Sequence, residues 1–196
     1  MKRVTHLVFM IFLFPITAYA ELTQEELHEI LALRIEGIKH LTKTNMLIDA
    51  TREQNQNTTT AEEILAIDQA WRAGTSPKIE EIEHARASKY LKSLIRRMSN
   101  TYSEAFIADK QGANVAMYPR TSDYWQGDEA PFVNAYNKGK GAVFVSAPIH
   151  DDSTDVDEVK VAVPMHDGAE VIGVLIMAVK VSAIEAQRIR NLSSAK

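Results

Sequence analysis

The chain has 196 residues, of which 45% are hydrophobic and 24% are charged, and its formal net charge is −4. This length and balance fit one globular domain with some helical extension. The acidic balance argues against nucleic-acid binding, which usually requires a strong excess of Lys and Arg. The chain has no cysteine, which excludes disulfides, thiol catalysis and cysteine-ligated zinc.

Residues 1–20 have the pattern of a secretory signal peptide. Lys2 and Arg3 give a basic start, the apolar run Leu7–Phe14 follows, and Ala18–Ala20 has the small-x-small pattern of a cleavage site. The alternative, a membrane anchor, needs about 20 apolar residues, and this run is shorter. We therefore expect cleavage after Ala20 and a mature protein in the periplasm, since a disulfide-free exported domain favours that compartment.

Residues 21–100 are predicted to form a helical N-terminal region. Thr23 and Glu26 have the spacing of a capping box, and a heptad-like seam follows them. The seam consists of Leu27, Leu31, Arg34, Ile38, Leu41, Asn45 and Ile48. A polar stretch, 51–60, breaks the pattern, and further helices are predicted over 61–71 and 78–98. The seam either forms a homodimer through the N-terminal helix or packs against 78–98 within one monomer.

Residues 101–182 are predicted to form a sheet with a helical insertion, and residues 183–196 a C-terminal helix and tail. Short apolar runs between turn residues predict five strands: 104–109, 114–118, 141–147, 159–163 and 171–181. One or two helical turns are predicted at Phe132–Tyr136, and His166–Gly168 predicts a tight turn between the last two strands. The predicted fold class is therefore α+β, with a five-stranded antiparallel sheet preceded by long N-terminal helices.

Four parts of the sheet region, in the right order, resemble the Cache or PDC sensor domains, an extracytoplasmic family with a PAS-like fold. These parts are Phe106–Gly112, Thr121–Glu129, Gly139–Thr154 and Val161–Val174. The resemblance implies a pocket for a small molecule. Because no second hydrophobic segment follows the last strand, it also implies a freestanding periplasmic form. Such a protein would signal through a membrane-bound receptor, which is a chemoreceptor, a kinase or a cyclic-dinucleotide enzyme.

Seven residues are predicted to bind the ligand: Tyr118, Arg120, Asp123, Tyr124, Trp125, Ser146 and Asp151. Aromatic rings supply contact area, and a few polar groups fix the orientation of a small molecule. The resemblance places Asp151, or its neighbour Asp152, in the loop that gives a carboxylate to the pocket in this family. We therefore expect a ligand that is an amino acid, an amine or a carboxylate.

Three of these residues have alternative roles. Arg120 suits a ligand carboxylate through two parallel hydrogen bonds. Asp123 either holds an amine or caps a helix that begins at Tyr124, and Trp125 either lines the pocket or fills the core. The family's amino-acid-binding members have an Arg-x-Trp-Tyr order. This order differs from Arg120 followed later by Tyr124 and Trp125, so amines, small carboxylates and other metabolites stay open.

The carboxylates also raise the questions of catalysis and metal binding. Asp123, Asp128 and Glu129 would serve a hydrolase as acid and base, but turns and helix starts favour carboxylates in any case. No nucleophile elbow, phosphate loop or His-Glu-x-x-His motif accompanies them. The acidic stretch 150–158 lacks the spacing and glycine of a calcium loop. We therefore predict no enzyme activity, cofactor or metal. The alternative to a ligand sensor is a structural or interaction module of the same fold.

Overall fold

The computed structural model describes residues 22–57, 59–152 and 155–194, and the predicted signal peptide lies outside them. The described helices are α1 Gln24–Leu41, α2 Asn45–Gln56, α3 Ala61–Arg72, α4 Lys78–His84, α5 Arg86–Arg97, α6 Ala130–Tyr136 and α7 Val181–Ser194. The described strands are β1 Tyr102–Asp109, β2 Asn114–Tyr118, β3 Phe144–Val145, β4 Ile149–Asp151, β5 Val156–Asp167 and β6 Glu170–Lys180. None of the described helices has the length and apolar character needed to cross a bilayer.

The strands form one antiparallel sheet in the order β2-β1-β6-β5-β3, and β4 also pairs with β5. Strand β6 lies at the centre, and all its residues from Val171 to Val179 are buried. The predicted α+β class, with an antiparallel sheet preceded by helices, is confirmed. The sheet has one more strand than predicted, because β5 begins at Val156 and its first residues pair with β4.

The two faces of the sheet carry separate clusters of apolar side chains, since neighbouring residues of a strand point to opposite faces. Helices α1, α2, α5 and α7 pack on the first face, around Ile107 and Leu175. Helices α3, α4 and α6 cover the second face, around Phe106 and Ile176. The helical N-terminal region and the sheet therefore share their cores.

The predicted seam of the N-terminal helix faces the sheet. Its residues Leu27, Leu31 and Ile38 have no exposed surface and belong to the first-face cluster, so a dimer could use only the outer side of α1. The capping box of Thr23 and Glu26 is confirmed. The seam from Leu27 to Ile48 predicted one continuous helix. That prediction is wrong, because α1 ends at Leu41 and α2 starts at Asn45.

The predicted break at 51–60 is also displaced, since α2 continues to Gln56. Tertiary hydrogen bonds explain the difference. Thr51 is fully buried, the Asn55 side-chain amide donates to the Ile172 carbonyl at 2.7 Å, and the Gln54 amide donates to the Tyr124 hydroxyl at 3.1 Å. Polar side chains thus find partners on the folded sheet that the local sequence does not reveal.

The predicted helix over 78–98 is two helices that meet at Ala85, whose ψ of 150° is extended. The break moves the chain from one face of the sheet to the other around the edge strand β2. Ile82 of α4 packs in the second-face cluster, whereas Leu91 of α5 packs in the first-face cluster. Because apolar residues lie at helical spacing on both sides of the break, the sequence predicted one continuous helix.

Candidate functional site

A buried cluster of charged side chains lies on the second face of the sheet. The Lys160 ammonium is 3.2 Å from Glu104 Oε1, 3.2 Å from Asp151 Oδ2 and 3.8 Å from Glu158 Oε1. Only 6% of the Glu104 side chain and none of the Glu158 side chain is exposed. Three carboxyl groups thus surround one lysine away from water, and we call these four residues the acidic cluster.

The register of the sheet brings the acidic cluster together. Glu104 of β1 and Lys160 of β5 both pair with Ala178 of the central strand β6, one from each side. The small side chain of Ala178 leaves room for the two long ones to meet above it. Glu158 lies two residues before Lys160 and points to the same face. Asp151 joins them from β4, which pairs with the start of β5.

Two buried carboxylate oxygens of the acidic cluster, Oε1 of Glu104 and Oε1 of Glu158, have Lys160 as their only partner among the described residues. They share this one ammonium at 3.2 Å and 3.8 Å. The other oxygen of Glu158 accepts a hydrogen bond from the Ser103 hydroxyl. A buried polar group left unsatisfied costs about 1–3 kcal/mol, and more when it is charged. The cluster therefore works against stability, which makes it a candidate for function.

The carboxylates of the acidic cluster keep Lys160 charged, and burial raises the pKa values of Glu104 and Glu158. Burial raises the pKa of Glu104, against the attraction of Lys160. Burial also raises the pKa of Glu158 to about 7, against the Ser103 hydrogen bond and with a further rise from the charge of Glu104. Burial acts to lower the pKa of Lys160, but the charges of Glu104 and Asp151 outweigh it and raise that pKa. Carboxyl groups outnumber the one cation.

The geometry also suits a hard cation. Oxygen atoms of Glu104, Asp151 and Glu158 lie within 4.8 Å of one another. Carboxylate oxygens are the ligands that calcium and magnesium prefer. The ammonium of Lys160 lies among the same oxygens and would repel such an ion. The cluster thus offers carboxylate oxygens to any small cation that can share them with Lys160.

Two of the sequence-predicted residues lie in or beside the acidic cluster. Asp151 belongs to it, and the Ser146 hydroxyl accepts the backbone N–H of Lys160 at 2.9 Å and donates to the Ala147 carbonyl at 2.7 Å. The structure therefore places Ser146 and Asp151 around one group of charges.

Of the two alternatives for Asp123, the helix cap is wrong, because no helix begins at Tyr124. The chain continues as a turn to α6, whose N-cap is Glu129. The Asp123 carboxylate instead accepts hydrogen bonds from Gln126 Nε2 at 2.6 Å and Arg72 Nη2 at 3.4 Å. The Asp123 side chain thus links the 121–126 turn to helix α3.

The aromatic pair Tyr124 and Trp125 anchors this turn. Tyr124 is 1% exposed and accepts a hydrogen bond from Gln54, and its ring lies 5.6 Å from that of Trp71 at a tilt of 42°. Burial raises its pKa to about 12. The Trp125 indole donates to the Gln111 carbonyl and lies against Gly127, where a Cβ atom would come within 2.3 Å of the ring nitrogen. Both rings thus have structural partners, and their ligand contacts stay a prediction.

Among the described contacts, neither Tyr118 nor Arg120 touches a residue of the acidic cluster. Both line a concavity of about 330 Å³ formed by the end of β2, helix α5 and the last residues of α4. Tyr118 is half-buried and Arg120 is exposed. The seven predicted residues therefore fall into three groups: Asp151 with Ser146 at the acidic cluster, Asp123 with the aromatic pair in the 121–126 turn, and Tyr118 with Arg120 at this concavity.

Sequence reasoning missed Glu104 and Lys160 and misplaced Glu158. The signal was present: charged residues alternate with buried valines in β5 and stand in the apolar run of β1, at positions where a core strand needs apolar side chains. Glu158 was grouped with the acidic loop before it, whose His150 is half-exposed and pairs with Asp157 at 3.0 Å. Only the strand register shows that Glu158 belongs to β5 and that its side chain is buried on the sheet.

Neither a family model nor a curated protein matches the sequence. Among solved structures, the sensor domain of the V. cholerae histidine kinase DctB is 18% identical, with a TM-score of 0.48, over 83% of this chain and 58% of that one. The E. coli DcuS sensor domain is 18% identical, with a TM-score of 0.41, over 65% of this chain and 92% of that one.

A third similar structure is the ligand-binding domain of the Pseudomonas aeruginosa PAO1 amino acid chemoreceptor PctC in complex with GABA. It is 13% identical, with a TM-score of 0.46, over 83% of this chain and 58% of that one. The chain thus spans little more than half of the DctB and PctC domains. All three are sensor or ligand-binding domains.

Proposed function

We propose that the protein is an exported periplasmic sensor that binds a small molecule and passes its ligand state to a membrane-bound signalling partner. The observation that supports ligand binding is the acidic cluster, where one buried oxygen of Glu104 and one of Glu158 share Lys160 as their only partner among the described residues. Burying such groups costs free energy, and a ligand that satisfies them recovers it. The proposal assigns binding and no catalysis to these carboxyl groups.

The ligand class that fits the acidic cluster is a small organic ammonium, either an amine or the amino group of an amino acid. An ammonium group brings up to three N–H donors and one positive charge. The cluster offers oxygens of Glu104 and Glu158 that share one ammonium, and its three carboxyl groups exceed the charge of Lys160. Ser146, which lies beside the cluster, and Asp123 of the 121–126 turn are proposed to fix the rest of the molecule.

The test is the ligand-induced rise in melting temperature of the purified mature protein. A ligand that binds only the folded state at 100 times its Kd should raise the melting temperature by about 5–10 °C. We expect such a shift with amines or amino acids and none with simple carboxylates. Glu104→Gln should abolish the shift. Asp128→Asn, which changes the charge of an exposed residue, should keep it.

Three other results would overturn the amine assignment. No shift with amines, amino acids or carboxylates would favour a structural or interaction module. A shift with carboxylates alone would place the ligand at a basic site. A shift with calcium alone, reversed by EDTA and lost in Glu104→Gln, would make the cluster a cation site, which the 4.8 Å spacing of its oxygens also permits.

The signalling partner is proposed to be a chemoreceptor, a kinase or a cyclic-dinucleotide enzyme in the membrane. Capture from detergent-solubilised membranes, with and without ligand, identifies it. A homodimer through α1 would have to use the outer side of that helix, where Leu33 is 83% exposed. Sedimentation of the wild type and Leu33→Glu at equal concentration tests this dimer.

A further inference from the structure

Helix α5 presents an unusual concentration of positive charge. Its sequence contains five basic residues and no acidic one: Arg86, Lys89, Lys92, Arg96 and Arg97. All five are exposed, and within the described residues none of them forms an ion pair. Like charges three or four positions apart weaken a helix by a few tenths of a kcal/mol per pair, about 0.2–0.5. The helix tolerates this repulsion without an internal counter-charge.

Two concavities follow this charged face, one on each side of Tyr118 and Pro119, which line both. The first, of about 330 Å³, is also lined by Lys89, Lys92 and Arg120. The second, of about 310 Å³, is also lined by Arg96 and Lys180. Among the described lining residues only Glu83 is acidic. We call the two concavities together the basic trough.

Tyr118 separates the two halves of the basic trough and holds its cations in place. The Lys92 ammonium lies 5.5 Å from the centre of the Tyr118 ring, and the Arg96 guanidinium lies 5.9 Å from it. Arg96 Nε also donates to the Tyr118 hydroxyl at 3.4 Å. The ring therefore positions one cation over each concavity, and both keep donors free for an anionic partner.

We propose that the basic trough binds an acidic peptide segment of a partner protein. Two successive concavities on either side of a ring fit alternate side chains of an extended chain, which point to the same side. Carboxylates of that chain would meet Lys92 in the first concavity and Arg96 in the second, and arginine binds carboxylates through two parallel hydrogen bonds.

A membrane surface fits this face less well than a peptide does. A helix that lies in a bilayer surface places its apolar side among the lipids. The apolar residues of α5, Leu91 and Ile95, are instead buried against the sheet. Adsorption to anionic lipid would therefore rest on charge alone, and it would depend equally on every cation of the helix.

The test compares two double variants of α5 that change the charge equally. Lys92→Glu with Arg96→Glu alters the trough, whereas Arg86→Glu with Arg97→Glu alters the same helix outside it. The probe is a fluorescent eight-residue peptide of alternating Glu and Tyr, followed by anisotropy. We expect the trough variant to bind at least ~10-fold more weakly than the wild type, and the outer variant to stay within ~3-fold of it.

Three outcomes would overturn the proposal. The wild type does not bind the peptide, or both double variants lose binding equally, which indicates unspecific charge. Alternatively, phosphatidylglycerol vesicles bind the wild type while the peptide does not, which assigns the face to a membrane. Circular dichroism and melting curves check that both variants fold, and Lys92→Gln with Arg96→Gln replaces the trough variant if it does not. The Glu104→Gln variant should bind the peptide like the wild type, so this test is independent of the proposed ligand site.

Discussion

Glu158 shows how a single residue of the acidic cluster links pH to stability. Its side chain is fully buried, and burial raises its pKa from the ordinary value of 4.5 to about 7. Between these two pH values the folded protein holds a proton that the unfolded chain releases. The contribution is fully present below pH 4.5 and is lost as the pH rises through 7. The loss amounts to roughly 3 kcal/mol at most.

Replacing Glu158 by Gln should remove this pH dependence. We expect the free energy of unfolding of the wild type to fall between about pH 5 and 8, and that of Glu158→Gln to fall much less. Urea denaturation across this range measures both. The raised pKa of His150, which comes from its hydrogen bond with Asp157, gives a slope of the same sign in both proteins and cancels in the difference. Equal slopes would show that Glu158 ionises normally in the folded protein.

At the scale of elements, helix α3 holds the 121–126 turn over the sheet. Asp68 Oδ1 accepts the backbone N–H groups of Tyr124 at 2.8 Å and Trp125 at 3.0 Å, and its other oxygen accepts from Arg72 at 2.8 Å. The Trp71 indole donates to the Thr121 carbonyl at 2.9 Å. One turn of α3 therefore supplies the hydrogen-bond partners that a helix cap would have given, and Arg72 of the same helix holds the Asp123 carboxylate.

Two substitutions of Asp68 separate these contributions. Asp68→Ala leaves two backbone N–H groups without partners and should lower the free energy of unfolding by about 2–4 kcal/mol. Asp68→Asn keeps an acceptor oxygen at that place and loses only the charge pairing with Arg72, so it should cost clearly less. Urea denaturation measures both. Equal losses would mean that the ion pair, rather than the backbone hydrogen bonds, holds the turn.

At the scale of the whole molecule, the N-terminal helices and the sheet stabilise each other. The apolar side of α1 is buried in the same cluster as Ile107 and Leu175. The predicted boundary between residues 21–100 and 101–182 therefore runs through a shared core. A protein built in this way should unfold in one transition, because neither part keeps its core without the other.

Leu31→Ala tests whether the N-terminal helices and the sheet unfold in one transition. Leu31 has no exposed surface, and its truncation should cost about 2–5 kcal/mol. Leu33→Ala, two residues away on the outer side and 83% exposed in the wild type, should change the free energy of unfolding by less than about 0.5 kcal/mol. Far-ultraviolet circular dichroism and tryptophan fluorescence should report the same transition. Separate transitions would show that α1 folds independently of the sheet.

The sequence by itself determined the local elements of this protein. Strand β2, the start of α3 and the capping box at Thr23 follow from residues that lie next to one another, so their signals survive without the fold. The antiparallel α+β class followed from their order. The Asp151 prediction came from resemblance, and the structure shows its neighbours in the acidic cluster.

Only the tertiary structure decided where helices break and which charges meet. Whether α2 continues past Thr51 depends on partners from the sheet, and the break at Ala85 depends on the path around β2. Glu104 and Lys160 are far apart in sequence and come together only because both pair with Ala178. The register depends on how strands that are far apart in the sequence pair with each other, so no local sequence pattern can predict it.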